Sequence, residues 1–164
     1  MIRKIIKLII VILCMVIIFS FSTDTGAESN KKSDGVIISI CKTFIKHDLS
    51  TKEKEKYINK YVKLVRKSAH FLIYLILGIS IISLIKEYQI INSKALLIAI
   101  TISFLYACSD EIHQLFVNGR TGKIIDVLID TLGSIVGVYL YYYIYKFRRK
   151  KVWIRKNNLL KIQL

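Results

Sequence analysis

The sequence predicts an all-α integral membrane bundle of four transmembrane helices, with an extracytoplasmic amphipathic helical segment between helices 1 and 2. The chain has 164 residues and a formal net charge of +15, from 26 Lys and Arg against 11 Asp and Glu, yet 54% of it is hydrophobic. Its mean hydropathy is +0.47. A soluble nucleic-acid binder would gain from such basicity through counterion release, but it would not be this apolar. Charge and apolarity must be segregated along the chain, and no nucleic-acid partner is expected. The apolar residues also run rather than alternate, and no Pro interrupts the runs.

The first run, residues 5–21, holds one charge, Lys7, and follows Arg3 and Lys4. It is long for a signal-peptide core, so residues 1–21 are expected to stay as a membrane helix, with a cleaved signal peptide as the competing reading. Residues 22–49 form the next segment, an extracytoplasmic linker. Its polar stretch, residues 23–35, holds most of the turn-forming residues and is expected to be disordered. Residues 36–45 then make an apolar patch.

Ser50-Thr51-Lys52-Glu53 has capping-box spacing, so a helix should start at Ser50. Tyr57, Ile58, Tyr61, Val62 and Val65 recur at helical steps, an apolar stripe for the membrane surface or the bundle. This helix leads into the second span, residues 70–85, which contains no Asp, Glu, Lys or Arg. The third run, residues 95–107, is short for a span of about 30 Å. It must borrow residues 88–92 or continue toward Gln114. The fourth, residues 124–145, carries only Asp126 and Asp130. Residues 50–145 therefore form the main membrane domain, and residues 146–164 a basic cytoplasmic tail.

With both termini inside, Lys and Arg divide equally, thirteen to each side. Their density beside the last helix favours this orientation. The tyrosines from Tyr139 to Tyr145 and the cluster from Lys146 to Lys151 suit an aromatic belt and anionic inner-leaflet lipid, so membrane lipid is the expected partner. Cys14, Cys41 and Cys108 lack CxxC spacing, so no zinc site or disulfide framework is expected.

Charge inside a membrane segment costs about 2.5–3.5 kcal/mol per residue at a helix centre and survives when paired or facing a polar cavity. Asp110, Glu111, His113 and Gln114 end the third run, Arg120 and Lys123 lie in the following turn, and Asp126 and Asp130 enter the fourth. Ser103, Ala107, Asp110 and Gln114 share one helical face; Asp126, Asp130, Gly133 and Gly137 share another. Gly133 and Gly137 form a GxxxG packing motif. The two stripes are expected to face each other across a hairpin turned by Asn118-Gly119. Arg66, His70 and Tyr74 stack at four-residue steps on the second span. His113 is expected to be exposed beyond the span.

The stretch Val65-Arg66-Lys67-Ser68-Ala69-His70-Phe71 with Tyr74 and Gly78, and the stretch from Ser109-Asp110-Glu111 through Gly119-Arg120-Thr121-Gly122 to Asp126, Asp130, Gly133 and Gly137, resemble the VanZ-like family. The resemblance covers roughly residues 50–139. The family is named for a protein associated with low-level resistance to the glycopeptide teicoplanin. Asn118 stands where relatives commonly have Pro, and Ile73 lies where an acid is frequent. The resemblance implies a small integral protein of a Gram-positive cell envelope with its motif cluster on the outer face, and no settled mechanism.

Three functions follow. The first is binding or shielding of a wall precursor or glycopeptide antibiotic at the outer face, lowering teicoplanin susceptibility, with Arg66 and Arg120 holding phosphate or carboxylate and Asp110, Glu111 and Gln114 accepting sugar or amide donors. The second is an enzyme acting on an envelope lipid or wall precursor, with His70 and Asp110 or Glu111 as an acid/base pair or as holders of a divalent metal. HExxH, GxSxG and Walker motifs are missing, so no cofactor or metal is assigned. The third is a structural network in which Arg66, Arg120, Asp110, Glu111, Asp126 and Asp130 neutralise one another and lock the helices.

Overall fold

The computed structural model describes residues 1–44, 50–88 and 91–162. Those residues form five helices and no strand: α1 (Ile2–Thr23), α2 (Gly26–Phe44), α3 (Thr51–Ile85), α4 (Ser93–Gln114) and α5 (Ile124–Ile162). All but α2 are long and apolar enough to cross a membrane. Leu13, Leu97, Leu105 and Leu132 are each more than half exposed on the outside of the bundle. Water does not tolerate such a continuous apolar surface, whereas lipid covers it without penalty.

The third span resolves toward Gln114. Asn92 starts α4, its side chain accepting from the Ala95 amide at 2.9 Å, and the helix runs 22 residues. α3 starts as the spacing predicts, with Ser50 and Glu53 forming a reciprocal capping box. At 35 residues it exceeds the roughly 20 needed to span, so its amphipathic first part extends beyond the bilayer. α5 is also longer than a span and continues into the basic tail as unbroken helix.

Residues 23–35, expected to be disordered, are largely helical. Thr25-Gly26-Ala27-Glu28 is itself a capping box: the Glu28 carboxylate accepts from the Thr25 amide at 2.8 Å, and the Thr25 hydroxyl accepts from the Glu28 amide at 3.3 Å. The Thr25 contacts hold the Glu28 carboxyl below its ordinary range. Farther along, Ile37 is buried, and Ile37, Ile40 and Cys41 border one cavity with Tyr57, Tyr61 and Val65 of α3. The apolar stripe of α3 thus faces α2. All three cysteines are free.

α3 and α5 run parallel at backbone contact. A Cβ on Gly133 would collide with the Phe71 carbonyl oxygen, and one on Gly137 with the Leu75 carbonyl oxygen; one on Gly78 would collide with Ser134. The Ser134 hydroxyl donates to the Tyr74 carbonyl at 3.0 Å across the same seam. The GxxxG face was expected to meet α4, but its partner is α3. Phe71 and Leu75 have the same four-residue spacing as the two glycines, so one ridge lies in the other's groove. Tyr74, Leu77, Ile82, Ala95, Ala99 and Val138 make the fully buried core beside this seam.

The two ends of the bundle differ in chemistry. At one end Lys7 of α1 pairs with Glu87 at 2.5 Å and donates to the Ser83 carbonyl at 3.0 Å. Lys4 stacks over Tyr88, and Lys86 over Tyr145. The other end brings together the α1 C-terminus, α2, the α4–α5 turn and the polar residues of α3.

Gly137→Ala should lower the thermal midpoint in detergent, at a cost of roughly 1–3 kcal/mol, because the added methyl meets backbone rather than a movable side chain. Gly35→Ala, at an exposed helical site with nothing within 4 Å of the new methyl, should instead raise it, with a gain in stability of about 0.5–1 kcal/mol.

Candidate functional site

The polar end is built around the turn between α4 and α5. Gly119 has φ +74, a backbone region that glycine enters without a Cβ penalty, and the Arg120 amide closes the turn on the Val117 carbonyl at 3.1 Å. The Gly26 amide at the start of α2 donates to the Asn118 carbonyl at 3.0 Å. Asn118 therefore supports the turn without a Pro.

Arg120 is held firmly. Its Nε donates to the Asp24 carbonyl at 2.9 Å, Nη2 to the Phe21 carbonyl at 2.7 Å and Nη1 to Gln114 Oε1 at 3.1 Å. The first two acceptors belong to the C-terminal end of α1, where carbonyls lack helical partners and the helix dipole is negative. Burial, and next the neighbouring Arg66, push the Arg120 guanidinium below its ordinary range, while Asp24, Asp110 and Glu111 act the other way. Gln114 continues the chain inward, its Nε2 donating to Ser22 Oγ and to Asp110 Oδ2, each at 3.2 Å.

Two other charges are also settled. Glu111 Oε1 accepts from the Lys123 amide at 2.5 Å, which satisfies an otherwise free donor at the start of α5. Lys67 pairs with Asp126 at 2.5 Å, joining α3 to α5.

The remainder are only partly satisfied. His70 Nδ1 lies 3.5 Å from Asp130 Oδ2. One ligand atom from each of His70, Asp110 and Asp130 falls within 4.8 Å of the others. Asp110 is 3% and Asp130 1% exposed, and the Oδ1 of each is buried without a hydrogen-bond partner; so is the hydroxyl of fully buried Tyr74. Half-buried Arg66 has no hydrogen bond or ion pair among the described residues.

A polar cavity of about 80 Å³ opens onto this group, lined by Arg66, Lys67, His70, Glu111, Gln114 and Asp130 among others. Beside it lies an apolar cleft of about 230 Å³, formed in part by Ile18, Phe21, Val36, Val65 and Ile73. The two share Arg66, His70 and Arg120.

All eight residues predicted for the cluster, Arg66, His70, Asp110, Glu111, Gln114, Arg120, Asp126 and Asp130, thus meet at this end, whereas Gly133 and Gly137 serve the α3–α5 seam. Three expectations change. Arg120 spends three of its donors on α1 and Gln114, so it is first a structural clamp. His113 is half-buried, stacked on Phe19 with ring centroids 4.5 Å apart, rather than exposed. Where no metal was assigned, a His and two carboxylates come within ligating reach. Sequence reasoning missed the part played by α1, since Ser22 and the carbonyls of Phe21 and Asp24 carry no motif. It also missed Lys67 as the partner of Asp126.

Four membrane-crossing helices with a buried polar site at one end define a multi-pass membrane protein. The chain belongs to the VanZ/LLP1 family, whose family model matches residues 7–146. No curated protein and no solved structure matches it.

Arg120→Ala should destabilise the protein in detergent by roughly 1.5–3 kcal/mol, read as a lower thermal midpoint. Arg120→Lys should recover little of this, because an ammonium cannot reproduce the planar fork that spans three acceptors.

Proposed function

We propose that this VanZ/LLP1 protein holds an anionic amphiphile of the bacterial envelope, of the lipid-linked phosphate class, at the outer face of the membrane and without turning it over. In this reading the polar end faces outward and both termini lie inside. The observation that carries it is the pair of adjoining cavities: a polar chamber with a cationic rim next to an apolar cleft, joined at Arg66, His70 and Arg120. A phosphate fits the rim and a hydrocarbon chain fits the cleft. Arg66 is the primary anchor, because its guanidinium is unpaired among the described residues and is repelled by Arg120, a repulsion that a bound phosphate removes. Glu111 and Gln114 border the chamber, but their present hydrogen bonds give them a framing role. Sequestering or shielding a wall precursor in this way would lower susceptibility to teicoplanin-type glycopeptides. At the opposite end, Lys86, Tyr145, Arg148, Arg149 and Trp153 line a surface suited to anionic inner-leaflet lipid.

A second reading is enzymatic chemistry on such a lipid. It draws on the His70–Asp130 contact at the chamber wall. Unchanged lipid and muropeptide profiles in a deletion strain would count against it.

In nanodiscs carrying a fluorescent polyprenyl phosphate, Arg66→Ala should weaken binding at least about tenfold at unchanged protein abundance, as expected for loss of a charge-assisted bond. The corresponding neutral polyprenol should bind poorly to both proteins. Equal phosphate binding by wild type and variant would refute the proposal.

A further inference from the structure

Sorting the charges at the polar end by partner leaves two buried carboxylates that no lysine or arginine pairs with among the described residues. Lys67 is committed to Asp126, Glu111 to the start of α5, and Arg120 to α1 and Gln114. Asp110 and Asp130 remain, both almost wholly buried, with a single imidazole between them and one oxygen of each unpartnered. One protonated imidazole cannot neutralise two buried carboxylates, and isolated buried charge is strongly disfavoured. Tyr74 is an independent sign that something belongs in this space. It sits one helical turn from His70 on the same face of α3, fully buried, with its hydroxyl unpartnered among the described residues.

We propose that His70, Asp110 and Asp130 bind one divalent transition cation, Zn²⁺ or Mn²⁺, between α3, α4 and α5. An imidazole nitrogen with two carboxylates is a mixed nitrogen and oxygen set suited to these ions. A doubly charged cation cancels both aspartates and leaves the imidazole neutral. The ligand atoms lie within 4.8 Å of one another. Donors around a tetrahedral zinc with bonds of about 2.0 Å stand about 3.3 Å apart, so small side-chain rotations close the site. The ligands come from three helices, so the ion ties them together. His70 and Asp130 face the polar chamber, which supplies the access path and room for an outside ligand on the ion. Arg66 on the wall of the same chamber, with no hydrogen bond or ion pair among the described residues, favours an anion as that ligand.

The proposal needs neither Arg66 nor a lipid, so it stands apart from the amphiphile reading. Its test uses tag-free full-length protein in detergent, stripped with chelator and titrated with Zn²⁺ or Mn²⁺. Wild type should retain one equivalent of metal through desalting, measured by mass spectrometry, and its thermal midpoint should rise by several degrees at saturation. Asp110→Asn and Asp130→Asn should lose both effects, and Arg66→Ala should keep them. If the aspartate variants fail to accumulate, Co²⁺ added to wild type decides the matter. Visible d–d bands without thiolate charge-transfer absorption support a nitrogen and oxygen site, whereas their absence overturns it. Wild type that retains no metal, or Asp130→Asn that retains it equally, also overturns the proposal.

Discussion

The fold turns on charge that four apolar helices must hide at one end. Acids and bases there lie deep enough that each needs a partner, and the partners are drawn from different helices. Arg120 reaches across to the α1 carbonyls, Glu111 to the first turn of α5, and Lys67 to Asp126. Because removing one member of a buried charged set leaves the other uncompensated, these contacts act as locks more than as additive stabilisation. They fix the relative heights of α1, α3, α4 and α5, and so assemble both the polar chamber and the apolar cleft.

The packing below this level lets the locks close. Gly78, Gly133 and Gly137 bring α3 and α5 to backbone contact, which places His70 and Asp130 beside each other. Wider side chains on that seam would separate the two before any electrostatic interaction formed. α4 then contributes Asp110 from its buried face, and the chamber becomes a three-helix site. At the far end, Lys7 with Glu87 and the lysine–tyrosine stacks anchor the same helices at the level where the basic part of α5 begins.

Much of this was legible in the sequence, for identifiable reasons. Ser50-x-x-Glu53 announced the start of α3, and helical spacing put Ser103, Ala107, Asp110 and Gln114 on one buried face. Periodicity names a face but not its neighbour, so GxxxG was assigned to α4 when its groove fits Phe71 and Leu75 of α3. Composition misled in residues 23–35, where Gly, Ser and charged residues suggested a coil and the local Thr25-x-x-Glu28 cap started a helix. Arg120 could be read either as a ligand-binding cation or as a member of an ion network, because two of its three acceptors are main-chain carbonyls, which any residue supplies and no side-chain pattern reveals. Arg66, given acidic partners in the ion-network reading, has no hydrogen bond or ion pair among the described residues.

The polar end therefore divides into a satisfied scaffold and an unsatisfied site. The most direct test is a set of single substitutions at Arg66, His70, Glu111, Arg120 and Asp130, scored at once for membrane abundance and for teicoplanin tolerance of the cell. Under the proposed function, scaffold changes at Glu111 and Arg120 should lower abundance and tolerance together, Arg66→Ala should lower tolerance at constant abundance, and changes at His70 and Asp130 should lower tolerance by more than any fall in abundance accounts for. If tolerance tracks abundance at all five positions, the charges do no more than hold the helices together, and the division is wrong.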